Sequence, residues 1–270
     1  MDREFSEVLP DIVNAMLFNY TQSDLLLGKA KKALPSRDII IDILNDLKKL
    51  MFPGYFSTEA VSIDNAAYYI GQMLSNLHGK MKKQIALALA YDTEDSIEAS
   101  SPDIQEQAED ICFTFFNAIP SIQELLLLDI QAGYDGDPAA DSREQIIFSY
   151  PGFYAVFVYR IAHELYKMNV PFIPRIMTEH AHSETGIDIN SGASIGRYFF
   201  MDHGTGIVIG ETTIIGDYVK LYQGVTLGAL STRGGQHLAG IKRHPTIEDR
   251  VTIYSLSLIH ISEPTRLALI

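Results

Sequence analysis

Asp202 and His203 are neighbours in the run Phe200-Met201-Asp202-His203-Gly204. Histidine is the side chain that takes up and releases a proton near neutral pH without help from its surroundings. A histidine base, with a carboxylate holding its tautomer, suits the activation of a hydroxyl that is a weak nucleophile at pH 7. Further along, Arg233, Lys242 and Arg243 gather positive charge in an otherwise acidic chain, and His244 follows them. A guanidinium is the group that grips a carboxylate through two parallel hydrogen bonds. A histidine at a turn also occurs on surfaces that catalyse nothing, and residue type alone does not choose between the two readings.

The elements that must position these groups are written as a six-residue period. Ile189, Ile195 and Met201 recur at that spacing, then Ile209, Ile215, Leu221 and Leu227. Smaller residues (Ala193, Thr205, Thr213, Val219, Val225) stand four places after several of them. Six is the period of neither a helix nor a flat strand. It is the period of a β-solenoid, whose short strands and tight corners wind round one core. Between Met201 and Ile209 the phase slips by an inserted pair, read as Ile207 and Val208. Such irregularities re-aim side chains and cluster near functional sites. His203 stands just before the slip, at a corner where a side chain can leave the core.

The segments MDHGTGIVIGET, GIDI fifteen residues upstream of His203, and RHP downstream resemble serine O-acetyltransferases of the hexapeptide acyltransferase superfamily, over roughly residues 60 to 254. The resemblance implies an α+β chain: an N-terminal all-helical domain (1–183), then a left-handed parallel β-helix (184–254) with a loop at 229–242. It implies a cytoplasmic acyltransferase that moves acetyl from acetyl-CoA to the hydroxyl of L-serine, giving O-acetyl-L-serine for cysteine biosynthesis. On that resemblance Asp188 is the partner of His203. Asp137 and Asp202 lie on the ammonium and hydroxyl side of serine, and Arg243 clamps its carboxylate with His244 beside it. Gly204, Gly228 and Ala229 match places where the pantetheine arm of coenzyme A passes close to backbone. The family's site lies between neighbouring solenoids of a homotrimer or dimer of trimers, holds no metal, and its members bind cysteine synthase through a C-terminal tail.

Residues before the solenoid read as helices. Val8, Ile12, Val13, Met16 and Leu17 keep helical spacing, and Ser36 can cap a helix that Pro53-Gly54 stops. Further helices are expected from Ser62 to Tyr91, from Pro102 with a division at Pro120 and an end at Gly133, from Pro151, and from Pro171 to His182. Asp137, in the turn DGDPAADS, can hydrogen-bond onward backbone groups whatever else it does. Arg160 and Glu164 are spaced to pair with each other.

A net charge of −13 argues against nucleic acid and anionic membranes as partners. Cys112 is the single cysteine, so no internal disulfide is possible, and its apolar neighbours make it a core thiol. The acidic N-terminus has no signal-peptide pattern, and Leu125–Leu128 is too short to span a bilayer. Residues 255–270 contain no glycine, and Pro264 breaks the phase. They read as a non-native tail joined to a truncated solenoid, so the terminal Ile270 is discounted as a cysteine synthase contact. Two other readings of the solenoid are an acetyltransferase for sugar hydroxyls and a non-catalytic assembly module. A zinc hydratase needs three converging histidines, and only His203 and His244 are at hand.

Overall fold

The computed structural model describes residues 5–28, 32–93, 97–229 and 233–260. Its helices are α1 (Phe5–Gln22), α2 (Arg37–Met51), α3 (Pro53–Phe56), α4 (Ala66–Asp92), α5 (Pro102–Gly136), α6 (Arg143–Ser149), α7 (Pro151–Lys167) and α8 (Ile173–Thr185). The Ser36 hydroxyl caps α2 by accepting the Ile39 N–H at 3.4 Å. Ile40, Ile43, Leu44, Leu47 and Leu50 then fall on one buried face of that helix. Pro53 ends α2 as expected and opens α3, where a missing N–H costs nothing. None of the residues of α1 is buried, although its apolar spacing is helical.

Two expected breaks are absent. Helix α5 runs unbroken through Pro120 and past Gly133. The hydrogen bond that Pro120 cannot donate is offset by packing on both sides, where Ile111, Cys112, Phe115, Ile122 and Leu126 are buried. Gly133 serves close packing: a Cβ there would lie 3.2 Å from Ile146 Cγ2 and 3.4 Å from Phe200 Cδ2. By length and hydropathy α5 could cross a membrane, yet it packs against α4, α6 and α7 as a core helix does.

After α8, Ile187 enters the solenoid core and, among the described residues, ten short strands follow: β1 (Asp188–Ile189), β2 (Ser194–Ile195), β3 (Phe200–Asp202), β4 (Val208–Ile209), β5 (Ile214–Ile215), β6 (Lys220–Tyr222), β7 (Thr226–Leu227), β8 (Thr246–Ile247), β9 (Thr252–Ile253) and β10 (Leu258–Ile259). They stack as three parallel sheets, β1-β4-β7-β10, β2-β5-β8 and β3-β6-β9, which are the faces of the left-handed β-helix. Ile189, Met201, Ile209, Ile215, Leu221 and Leu227 all point inward and are buried. The solenoid phase continues past residue 254. Leu258 and Ile259 pair with Thr226 and Leu227 of β7, and Leu256 takes a left-handed φ of 62° at the corner where Gly224 stands one coil earlier. A segment without glycine therefore still turns. Pro264 and Ile270 lie outside the described residues.

Helices and solenoid share one core. Arg160 of α7 pairs with Asp129 of α5 rather than with Glu164, at 2.5 and 2.8 Å, and also donates to the Gly196 carbonyl at 2.8 Å. Asp129 accepts the Phe199 N–H at 3.0 Å. The Tyr159 hydroxyl donates to the Ala193 carbonyl at 2.6 Å, and His163 Nδ1 bonds Ser191 O at 2.7 Å. At Gly152 the start of α7 presses on β3 so closely that a Cβ would lie 2.6 Å from the Met201 carbonyl oxygen.

Candidate active site

The slip in the repeat becomes a bulged corner. Asp202 pairs with Tyr222 and Val208 with Thr226, so five residues (203–207) turn a corner that takes three (223–225) one coil later. Gly206 abuts Gly224, and the Gly224 N–H donates to the Thr205 carbonyl at 2.9 Å. The surplus therefore lies at His203–Thr205 and not at Ile207–Val208: Ile207 is buried in the core, Val208 belongs to β4, and Thr205 is exposed. His203 (φ 60°) and Gly204 (φ 81°) both take left-handed backbone there. A side chain at Gly204 would strike Ile187 Cδ1 at 2.4 Å, so the glycine is already required by coil stacking.

This bulge throws the imidazole outward. The His203 side chain is 71% exposed, with Nδ1 3.7 Å from Asp202 Oδ1. Asp202 is buried at the edge of the face that the helices cover. Its other oxygen lies 3.2 Å from Lys220 Nζ, which reaches across from β6. Asp137, the C-cap of α5, joins the same group. Its Oδ1 accepts the Ala139 N–H at 2.8 Å and its Oδ2 accepts the Tyr150 hydroxyl at 2.6 Å. Burial, then the bond to Asp137 and the nearby carboxylates, push the Tyr150 hydroxyl up to about 12. The bonds from Tyr150 and Ala139 hold Asp137 below the usual carboxylate range, helped by the charges of Lys220 and His203. Burial pulls Lys220 down, but its bonds to Tyr222 and Asp202 outweigh it and the ammonium is held above its ordinary value.

Asp188 opens β1, one coil below β4, and its N–H donates to the Ile207 carbonyl at 2.9 Å. The Gly206 N–H donates to Gly186 at 2.7 Å, so Asp188 and His203 flank the same corner on successive coils. The ion pair that His203 makes among the described residues is with Asp202.

The other expected residues stand elsewhere. Arg243 pairs with Glu211 and donates to the Leu238 carbonyl at 3.1 Å. His244 is buried, with Nδ1 accepting the Thr212 N–H at 3.1 Å. Burial first, then the Arg243 charge, hold His244 below the usual histidine value. Gly228 and Ala229 follow β7 at this edge too. That edge and the His203 corner bound opposite sides of the sheet containing β4. Between them the chain turns the bulged corner and then crosses the sheet as β4. One chain therefore gathers Asp137, Asp202 and His203, and leaves Arg243 and His244 apart from them.

Residues 66–157, from α4 into α7, match the family model "Serine acetyltransferase, N-terminal". The serine acetyltransferase of Synechococcus elongatus named "Serine acetyltransferase, plasmid" is 44% identical over 235 residues, which cover 85% of this chain and 74% of that protein. The chain belongs to the serine acetyltransferase family. Among other curated serine acetyltransferases, that of Synechocystis is 44% identical over 47% of this chain and 49% of its own length. The native serine acetyltransferase 1 of Entamoeba histolytica matches with a TM-score of 0.68 at 34% identity, over 95% of this chain and 89% of that one. The same enzyme in complex with L-cysteine matches with a TM-score of 0.66 at 36% identity, over 90% of this chain and 84% of that one.

In this family member two groups at the bulged corner escaped sequence reasoning. Lys220 lies one coil after Phe200, in register with it. Counting a coil as twenty residues, with the slip included, would have found it. Tyr150 carries no such signal: it joins α6 to α7, and the return of α6 along α5 brings its hydroxyl to Asp137.

Proposed function

We propose that the chain transfers the acetyl group of acetyl-CoA to the hydroxyl of L-serine, giving O-acetyl-L-serine for cysteine biosynthesis, with His203 as the general base. The observation that carries this reading is the bulged corner, where an exposed imidazole stands beside two carboxylates, Asp202 and Asp137, suited to an ammonium. His203 takes the proton of the serine hydroxyl as its oxygen attacks the thioester carbonyl. The tetrahedral oxyanion collapses as the thiolate leaves, and the imidazolium returns the proton to sulfur. Asp188, flanking the same corner, steadies the imidazolium. Asp137 and Asp202 hold the substrate ammonium.

Arg243, with His244 beside it, binds the substrate carboxylate from a neighbouring chain, exchanging Glu211 for the ligand. The separation of the two edges within one chain supports this arrangement and the homotrimer it requires. Coenzyme A lies in the groove between two solenoids, passing Gly204, Gly228 and Ala229. The enzyme is cytoplasmic, and cysteine synthase would join it through a native C-terminal tail of the family's kind rather than through Ile270. Purified chain is assayed for thiol release from acetyl-CoA with L-serine and with sugar acceptors. His203→Ala lowers turnover by about two to four orders of magnitude while the circular dichroism spectrum is kept. Undiminished activity in that variant, or a preference for sugars, overturns the reading.

A further inference from the structure

We propose that Lys220 is a positioning residue for the acceptor: it ties Asp202 of the solenoid to the end of α5 that carries Asp137, and so sets the spacing of the two carboxylates that receive the substrate ammonium. The inference rests on the serine reading above. Lys220 Nζ donates to the Gly136 carbonyl at 2.6 Å and lies 3.2 Å from Asp202 Oδ2. Gly136 is the residue before Asp137, at the C-terminal end of a 35-residue helix, where a cation complements the exposed carbonyls. The ammonium is also fixed laterally, 4.5 Å from the Tyr222 ring centroid and 5.1 Å from that of Phe200. One nitrogen thus links the Asp202 carboxylate of β3 to the carbonyl before Asp137, beside the contact that Phe200 already makes with the end of α5.

The charge balance explains why a cation belongs there. Asp137 and Asp202 are like charges brought to one corner, and each faces a donor: Tyr150 for Asp137, Lys220 for Asp202. With Lys220 the trio carries one net negative charge, which the ammonium of an amino acid neutralises. Without it, the two carboxylates repel each other and the tie between β6 and Gly136 is gone. Lys220 engages Asp202 Oδ2, which leaves Oδ1 on the side facing His203, 3.7 Å from its Nδ1.

The test compares Lys220→Met and Lys220→Arg with the unaltered chain, using L-serine and 3-hydroxypropanoate, which is serine without its ammonium. For Lys220→Met the expected result is a serine KM at least about tenfold higher, kcat within about threefold, and an unchanged KM for acetyl-CoA. The preference for serine over 3-hydroxypropanoate falls by about the same tenfold. Lys220→Arg keeps the charge and recovers most of the loss. An unchanged serine KM in Lys220→Met, or an equal loss on both acceptors, overturns the proposal, since a purely structural role would not single out the ammonium. Should Lys220→Met not fold, Lys220→Arg decides alone: its displaced charge raises the serine KM by a smaller factor and lowers the preference in step, and an unaltered preference overturns the proposal. An unaltered chain inert toward L-serine would remove the functional reading itself, a result distinct from a Lys220 variant that behaves like an active parent.

Discussion

Replacing Arg160 by methionine removes the cation that faces the buried Asp129 carboxylate. Asp129 would lose donors at 2.5 and 2.8 Å and keep only the Phe199 N–H at 3.0 Å. The Gly196 carbonyl would lose its donor at 2.8 Å. Leaving a charge uncompensated in the interior costs about 3–5 kcal/mol, and an orphaned carbonyl adds about 1 kcal/mol. For a chain of this size that lowers Tm by roughly 8–24 °C. The loss has a pH signature. Burial already pushes Asp129 up, against the pull of Arg160, and without the guanidinium the folded-state value rises further. A carboxyl raised on folding contributes its stability below the unfolded value of about 3.9, and loses it as pH climbs toward the folded value. The gap between variant and parent therefore widens as pH rises above the unfolded value of about 3.9, and is read at one acidic and one neutral pH. The pair Asp129→Leu with Arg160→Met, which buries no charge, should melt closer to the parent than Arg160→Met does. Thermal melting followed by circular dichroism at both pH values decides it. An Arg160→Met chain that melts within about 2 °C of the parent at the higher pH, or a gap independent of pH, refutes the view that this pair fastens the helices to the solenoid.

Gly152→Ala forces the start of α7 off β3, because its Cβ must back away from 2.6 Å to at least 3.0 Å from the Met201 carbonyl. We expect a cost of about 1–3 kcal/mol and a fall in kcat/KM as Tyr150 moves with the helix, whereas Gly71→Ala, with open space around it, should stabilise by about 0.5–1 kcal/mol; melting curves and steady-state kinetics on both variants check the contrast. Burial pushes the Cys112 thiol up to about 12, so native protein should consume less than about 0.1 equivalent of an aromatic disulfide reagent at neutral pH, and about one equivalent once unfolded in guanidinium. His203→Ala and Arg243→Ala chains, each nearly inactive, should regain activity when refolded together, because about a quarter of randomly mixed interfaces pair an intact His203 with an intact Arg243; no recovery would place both groups on one chain's own site.

Much of this molecule was legible from residue types at fixed spacing. The hexapeptide period named the solenoid, because a side chain every six residues must face inward when each coil repeats the same corners. Ser36 and Pro53 marked the ends of α2 through local chemistry, a hydroxyl that caps and a ring that lacks an N–H. The disturbed phase also pointed at Asp202 and His203. What spacing could not tell was which residues absorb the slip, since that depends on which glycines stack between coils: Gly206 meets Gly224, and the bulge is left to His203–Thr205. Nor could it show that α5 runs straight through Pro120, where packing outweighs propensity. Lys220 and Tyr150 join the site from elements seventy residues apart in the chain. Tyr150 meets Asp137 among the helices, but Lys220 meets Gly136 only because the helices lie against the solenoid face. The chain alone determined the repeat and its histidine; only the folding of one unit onto the other decided what that histidine stands among, because the contacts involved are distant in sequence and leave no local pattern.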